Sequence, residues 1–129
     1  MEMTDHRPLV LIVDDNDDQR TAYALFLEAV GFRVVEASDG ISAIGQARTM
    51  RPDVILMDLS MPGLNGWQAC QWLKTSDETS RIPIIALTGH AVEGAERKAM
   101  EAGCDRFVTK GSDPHRVIQA VSEVLAGGA

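Results

Sequence analysis

Two apolar runs, Leu9-Val10-Leu11-Ile12-Val13 and Ile84-Ile85-Ala86-Leu87, are continuous rather than alternating. Such runs suit strands covered on both faces, as in a parallel sheet. Three further runs complete a set of five predicted strands: Leu9–Val13, Arg33–Ala37, Val54–Met57, Ile82–Leu87 and Arg106–Thr109. Between them, apolar residues recur at helical spacing. Ala22, Leu25, Phe26, Ala29 and Val30 predict a first buried stripe, stopped by Gly31. Ile41, Ile44, Ala47 and Met50 predict a second, halted at Arg51-Pro52, and Trp67, Cys70 and Leu73 a third after Asn65-Gly66. Ala95, Ala99 and Met100 mark a fourth that ends at Gly103. Val117, Ile118, Val121, Val124 and Leu125 mark the last, opened by Asp113 as N-cap and Pro114 in the first turn.

Strand and helix thus alternate five times. The expected architecture is α/β, a doubly wound five-stranded parallel sheet with helices on both faces and right-handed crossovers. At 129 residues the chain has the size of one domain, and no repeat, low-complexity segment or linker divides it. Twelve basic against nineteen acidic side chains leave a net charge of −7, which disfavours coating a nucleic-acid duplex or an anionic membrane. No apolar run approaches membrane-spanning length, and the acidic start Met1-Glu2-Met3-Thr4-Asp5 lacks the basic flank of a signal peptide. Cys70 and Cys104 form no CxxC motif and read as free buried thiols, so a reducing, cytoplasmic setting is expected.

Ligands of such sheets bind beyond the carboxyl ends of the strands, where strand order reverses. The first run ends in Asp14-Asp15, the third in Asp58, the fourth in Thr88 and the fifth in Lys110. The second leads instead to Ala37-Ser38-Asp39-Gly40, which reads as a turn. Two carboxylates ~4 Å apart repel by about 4 kcal/mol at an effective dielectric of 20. Three need protons or cations, and one lysine is too few. A hard divalent cation with oxygen ligands, Mg²⁺ above all, meets the need. Carboxylates on a metal beside an ammonium and a hydroxyl suit a phosphoryl group.

In order along the chain, Val13-Asp14-Asp15-Asn16, Asp58-Leu59-Ser60-Met61-Pro62 with Gly66, Ala86-Leu87-Thr88-Gly89 and Phe107-Val108-Thr109-Lys110 resemble the receiver domain of two-component response regulators. The resemblance spans Pro8 to Ala126, essentially the whole chain, and leaves residues 1–129 as a single receiver domain with no output domain expected. It implies a flavodoxin-like strand order 2-1-3-4-5. It also implies a phosphorelay switch in which Asp58 accepts a phosphoryl group from a histidine kinase or histidine phosphotransfer protein. Asp14, Asp15, Asp58 and the Ser60 carbonyl would hold Mg²⁺, and Lys110 would pair with the phosphoryl oxygens. Thr88 and the aromatic position Phe107 would form the switch, while Ser60 and His90 would tune hydrolysis of the acyl phosphate. The implied readout is the face of the fourth helix, fifth strand and fifth helix, near Ala91, Glu93, Arg97, Arg106 and Arg116, where a downstream protein would dock. The chain departs from the family at Gly111, where Pro is usual after the lysine, and at Gly89, where Ala is common.

Two other classes remain beside the switch: an interaction module acting without phosphorylation, and a Mg²⁺-dependent phosphohydrolase. The first would have lost Asp58, an acidic partner or Lys110, and all are present. The second usually carries another acid two residues after its nucleophile, where this chain has Ser60. No GxxxxGK or GxGxxG follows the first run, which disfavours nucleotide binding. Trp67 and Trp72 lack interleaved basic residues and read as core or partner packing rather than nucleic-acid contacts. His6 and His115 read as surface residues.

Overall fold

In the computed structural model the described residues are 6–59, 66–88, 95–110 and 113–127, with Ala95 and Glu96 described by backbone alone. They form β1 (Leu9–Val13), α1 (Asp17–Ala29), β2 (Arg33–Ala37), α2 (Gly40–Met50), β3 (Val54–Asp58), α3 (Gly66–Thr75), β4 (Ile84–Thr88), α4 (Ala95–Glu101), β5 (Arg106–Thr109) and α5 (Pro114–Leu125). All four strand pairings are parallel, in the order β2-β1-β3-β4-β5. The expected doubly wound sheet is therefore present, with the flavodoxin-like order.

Alternate side chains of the central strands feed two cores. Leu11, Val13, Ile55 and Met57 pack with Ala43 and Ala47 of α2, Cys70 and Leu73 of α3, and Ala99 of α4. Val10, Ile12, Val54 and Leu56 pack on the other face with Ala24 and Leu27 of α1 and Val117 and Val121 of α5. Burial on both faces is why these strands read as continuous apolar runs.

Four sequence expectations shift. The fourth strand begins at Ile84, not Ile82, because Pro83 has no N–H to give a ladder. The Ile82 carbonyl accepts instead from Lys74 Nζ at 2.8 Å. The predicted α1 stripe is the larger correction. Leu25 is 63% and Val30 52% exposed, Ala22 and Ala29 also face outward, and Phe26 is half-buried. The inward face runs Arg20, Tyr23, Ala24, Leu27, an i, i+3, i+4, i+7 set headed by a cation. The Arg20 guanidinium fixes that rotation, donating to the Asp14 carbonyl at 2.8 Å and pairing with Glu36 at 3.0 Å and Asp17 at 2.7 Å. In α2, Ile41 is 73% exposed and Met50 also faces outward, while Gly40, Ala43 and Ala47 are buried against the sheet. Small residues let α2 lie close, so the bulkier positions face solvent. Met100 of α4 is likewise exposed beside buried Ala99.

The helix ends follow their capping residues. Asn16 accepts from the Gln19 N–H at 2.9 Å and caps α1, and Asp39 accepts from Ser42 at 2.7 Å and caps α2, so the anticipated turn there is a helix start. Asp113 caps α5 as expected, accepting from the His115 N–H at 3.0 Å. Gly31 and Gly103, with φ of +105° and +100°, take the left-handed positions that end α1 and α4.

Candidate functional site

The chain runs from β1 outward to β2 in one direction and from β3 to β5 in the other, so the strand order reverses between β1 and β3. Beyond that junction the strand ends bring Asp14, Asp58 and Lys110 together. Lys110 Nζ lies 2.9 Å from Asp58 Oδ2 and 3.1 Å from Asp14 Oδ2. Both carboxylates are essentially buried, and only 11% of the Lys110 side chain is exposed. Asp15 follows on the exposed side, and Asp14, Asp15 and Asp58 each offer an oxygen within 4.8 Å of the other two. Thr88 ends β4 one strand away, buried, with Thr109 as its register partner on β5. The Lys110 N–H donates to the Thr88 carbonyl, so the lysine and the threonine share one backbone clasp.

Local structure explains the convergence. The Leu59 N–H donates to the Leu87 carbonyl at 3.0 Å and the Asp14 N–H to the Ala37 carbonyl at 3.1 Å, which extends the ladder past both acidic strand ends. Gly66 opens α3 directly against the Asp58-Leu59 backbone: a Cβ there would lie 2.1 Å from the Asp58 carbonyl oxygen. Only glycine permits that approach. The sequence reading missed two residues. Gln19 Oε1 accepts from Lys110 Nζ at 3.0 Å and supplies the ammonium with a third oxygen. Arg20 holds the Asp14 carbonyl from the same helical turn. Their only sequence signal was position, in the first turn of a helix entered directly from the Asp14-Asp15 strand end.

Burial pushes the Asp14 carboxyl above its ordinary value, opposed by the Asn16 N–H and Lys110 and reinforced by the charge of Asp58. For Lys110, burial favours the neutral amine, but the hydrogen bonds and charges of Asp58 and Asp14 prevail and hold the ammonium above its ordinary range. One cation thus faces three carboxylates. Among the described residues, moreover, Asp14 Oδ2 is buried with no hydrogen bond and only the Lys110 ammonium beside it. A hard divalent cation with oxygen ligands fits both the surplus charge and the orphaned atom.

Phe107 sits on β5 in register with Ala86, half-buried against the core of α2, α3 and α4. It also lines a groove of about 330 Å³ between β5 and α5, shared with Arg106, Arg116 and Gln119. Arg106 is tied across it to Glu123 at 3.1 Å, and Arg97 is exposed on α4. Ser60, Gly89, His90, Ala91, Glu93 and Gly111 lie outside the described residues. Trp67 packs on the core and Trp72 is partly exposed, while His6 and His115 are exposed as expected.

A family model for the response regulator receiver domain matches residues 10–122. The chain belongs to that family. Receiver domains are the phosphoryl-accepting switches of two-component signalling, and they bind Mg²⁺ at an acidic cluster such as the one above. This receiver is 34% identical to the polar-differentiation response regulator DivK of Brucella anthropi, over 90% of this chain and 94% of that one. Its fold matches the Vibrio cholerae chemotaxis protein CheY4 with a TM-score of 0.86 at 25% identity, over 92% and 98% of the two chains. It matches equally, with TM-score 0.86 and 30% identity over 93% and 98%, the receiver domain of a Pseudomonas aeruginosa sensor histidine kinase that carries a magnesium ion in its active-site cleft. Among the described residues of this receiver, no helix is long and apolar enough to cross a membrane.

Proposed function

We propose that Asp58 is the phosphoacceptor of this receiver, supplied by a histidine kinase or a histidine phosphotransfer protein. The observation that carries the reading is the Lys110 ammonium bridging Asp58 at 2.9 Å and Asp14 at 3.1 Å at the β1/β3 reversal. A carboxylate oxygen of Asp58 forms the new P–O bond while the P–N bond to the donor imidazole breaks and its electron pair stays on the imidazole. Lys110 turns from its carboxylates toward the phosphoryl oxygens and offsets their charge. Gln19 and Asp14 keep the ammonium at the mouth of the site until then. Asp14, Asp15, Asp58 and the Ser60 carbonyl would hold Mg²⁺, which would supply positive charge for the phosphoryl oxygens. Hydrolysis of the acyl phosphate at the same aspartate resets the domain, with Ser60 and His90 tuning its rate.

The phosphoryl group adds a charge of about −1.5 to −2, by analogy with phosphoserine. Thr88 donates its hydroxyl to that group, and the space it vacates lets Phe107 turn further into the core. The α4, β5 and α5 face then changes shape for a downstream protein, in the cytoplasm. Neither nucleic acid nor membrane is a direct partner. Amide NMR with beryllofluoride and Mg²⁺ tests the switch: Thr88, Phe107 and the groove residues Arg106 and Gln119 shift together. In Thr88→Ala the shifts stay within the acidic cluster. Undiminished shifts at Phe107 in that variant would refute the coupling.

A further inference from the structure

Cys70 and Cys104 are 34 positions apart in the chain, yet their Sγ atoms stand 2.9 Å apart. Cys70 lies on the inner face of α3 and Cys104 in the turn between α4 and β5, 0% and 3% exposed. Bridging asks the sulfurs to close by about 0.9 Å, from 2.9 Å to the ~2.04 Å of a disulfide bond. The same two elements are already clamped one step along. Lys74, one turn after Cys70, pairs with Asp105 at 2.9 Å and donates to the Ile82 carbonyl at 2.8 Å. The Cys70 thiol also donates to the Ala102 carbonyl at 3.4 Å, so it faces the last turn of α4. Neither thiol has a part in the phosphoryl chemistry.

We propose that Cys70 and Cys104 are a reversible thiol–disulfide pair that, when oxidised by hydrogen peroxide, staples α3 to the entrance of β5. A thiolate sulfur attacks one peroxide oxygen, the O–O bond breaks, and with a proton the first water leaves, giving a sulfenic acid. The second sulfur attacks the first, the S–S bond forms, the S–O bond breaks and a second water leaves. In total two thiols surrender two protons and two electrons, and one hydrogen peroxide becomes two waters. A hydrogen bond from Cys104 and the nearby charge of Lys74 lower the Cys70 thiol below its ordinary value, against burial and the charge of Asp105. Cys104 keeps 3% exposure and Cys70 none, so the oxidant would have to enter from the Cys104 side.

The test treats the folded receiver with hydrogen peroxide in native buffer and follows intact mass and peptide maps, which separate methionine oxygenation from cysteine chemistry. The expected result is a monomer with a peptide crosslink between Cys70 and Cys104, lighter by two hydrogens at that pair and restored by dithiothreitol. Cys70→Ser and Cys104→Ser each abolish the crosslink, and the wild-type map stands by itself if either variant folds poorly. Crosslinking only in urea, disulfide-linked dimers, oxygen addition at cysteine without a crosslink, or two unreacted thiols would each overturn the proposal.

Discussion

Removing Asp58 or Lys110 perturbs the same charge cluster with opposite sign. At an effective dielectric of 20, the Asp58–Lys110 attraction at 2.9 Å is about 6 kcal/mol, and repulsion between Asp58 and Asp14 oxygens within 4.8 Å is at least about 3.5 kcal/mol. Asp15 adds a smaller repulsion, screened because it is exposed. Asp58→Asn therefore leaves the Coulomb terms near balance. Lys110 stays paired with Asp14 at 3.1 Å, so the variant strands no buried cation. What decides is the cost of burying a carboxylate, several kcal/mol even after relaxation, which the neutral amide escapes. Without metal, Asp58→Asn is expected to be more stable than wild type by about 1–2 kcal/mol, a residue of these opposing quantities. Lys110→Met strands two buried carboxylates at once, and about 3–5 kcal/mol should be lost. Urea unfolding in EDTA measures both. A loss above about 1 kcal/mol in Asp58→Asn, or a neutral Lys110→Met, would refute the charge argument, since both effects exceed ordinary surface substitutions.

Other expectations follow from neighbouring contacts. Gly66→Ala drives a Cβ to 2.1 Å from the Asp58 carbonyl oxygen, so a loss of about 1–3 kcal/mol should accompany slower phosphorylation; unchanged urea midpoint and rate would contradict this. Leu27→Ala, at a buried position on α1, should cost about 2–5 kcal/mol, whereas exposed Leu25→Lys should stay within about 0.5 kcal/mol; a reversed order would contradict the rotation of α1. The Lys110 ammonium is held above its ordinary 10.5, so its contribution is complete below pH 10.5 and disappears as pH rises through the folded value. Lys110→Met should flatten that alkaline limb of the stability–pH curve, and an unchanged limb would assign it to another group.

Strand topology and the acidic cluster were legible because β1, β3 and β4 are short and buried on both faces, and because each of them, like β5, ends at or runs directly into a candidate site residue. Asp14, Asp58, Thr88 and Lys110 could be placed at one rim from chain order alone. The inward face of α1 could not. It is headed by Arg20, whose partners Asp14, Asp17 and Glu36 come partly from other elements, so the more apolar Leu25–Val30 stripe misled the pattern reading. Gln19 was hidden likewise, since its contact with Lys110 spans 91 positions. The Cys70–Cys104 pairing has no local sequence signature at all: it arises from the packing of α3 against the turn before β5.

Asp58 is the proposed acceptor of the phosphoryl group. Intact-mass spectrometry after incubation with acetyl phosphate, with and without Mg²⁺, tests it most directly. One added phosphoryl group that requires Mg²⁺ and vanishes in Asp58→Asn is the expected result. An adduct that persists in Asp58→Asn, or no adduct together with no Mg²⁺-dependent beryllofluoride binding, would contradict it.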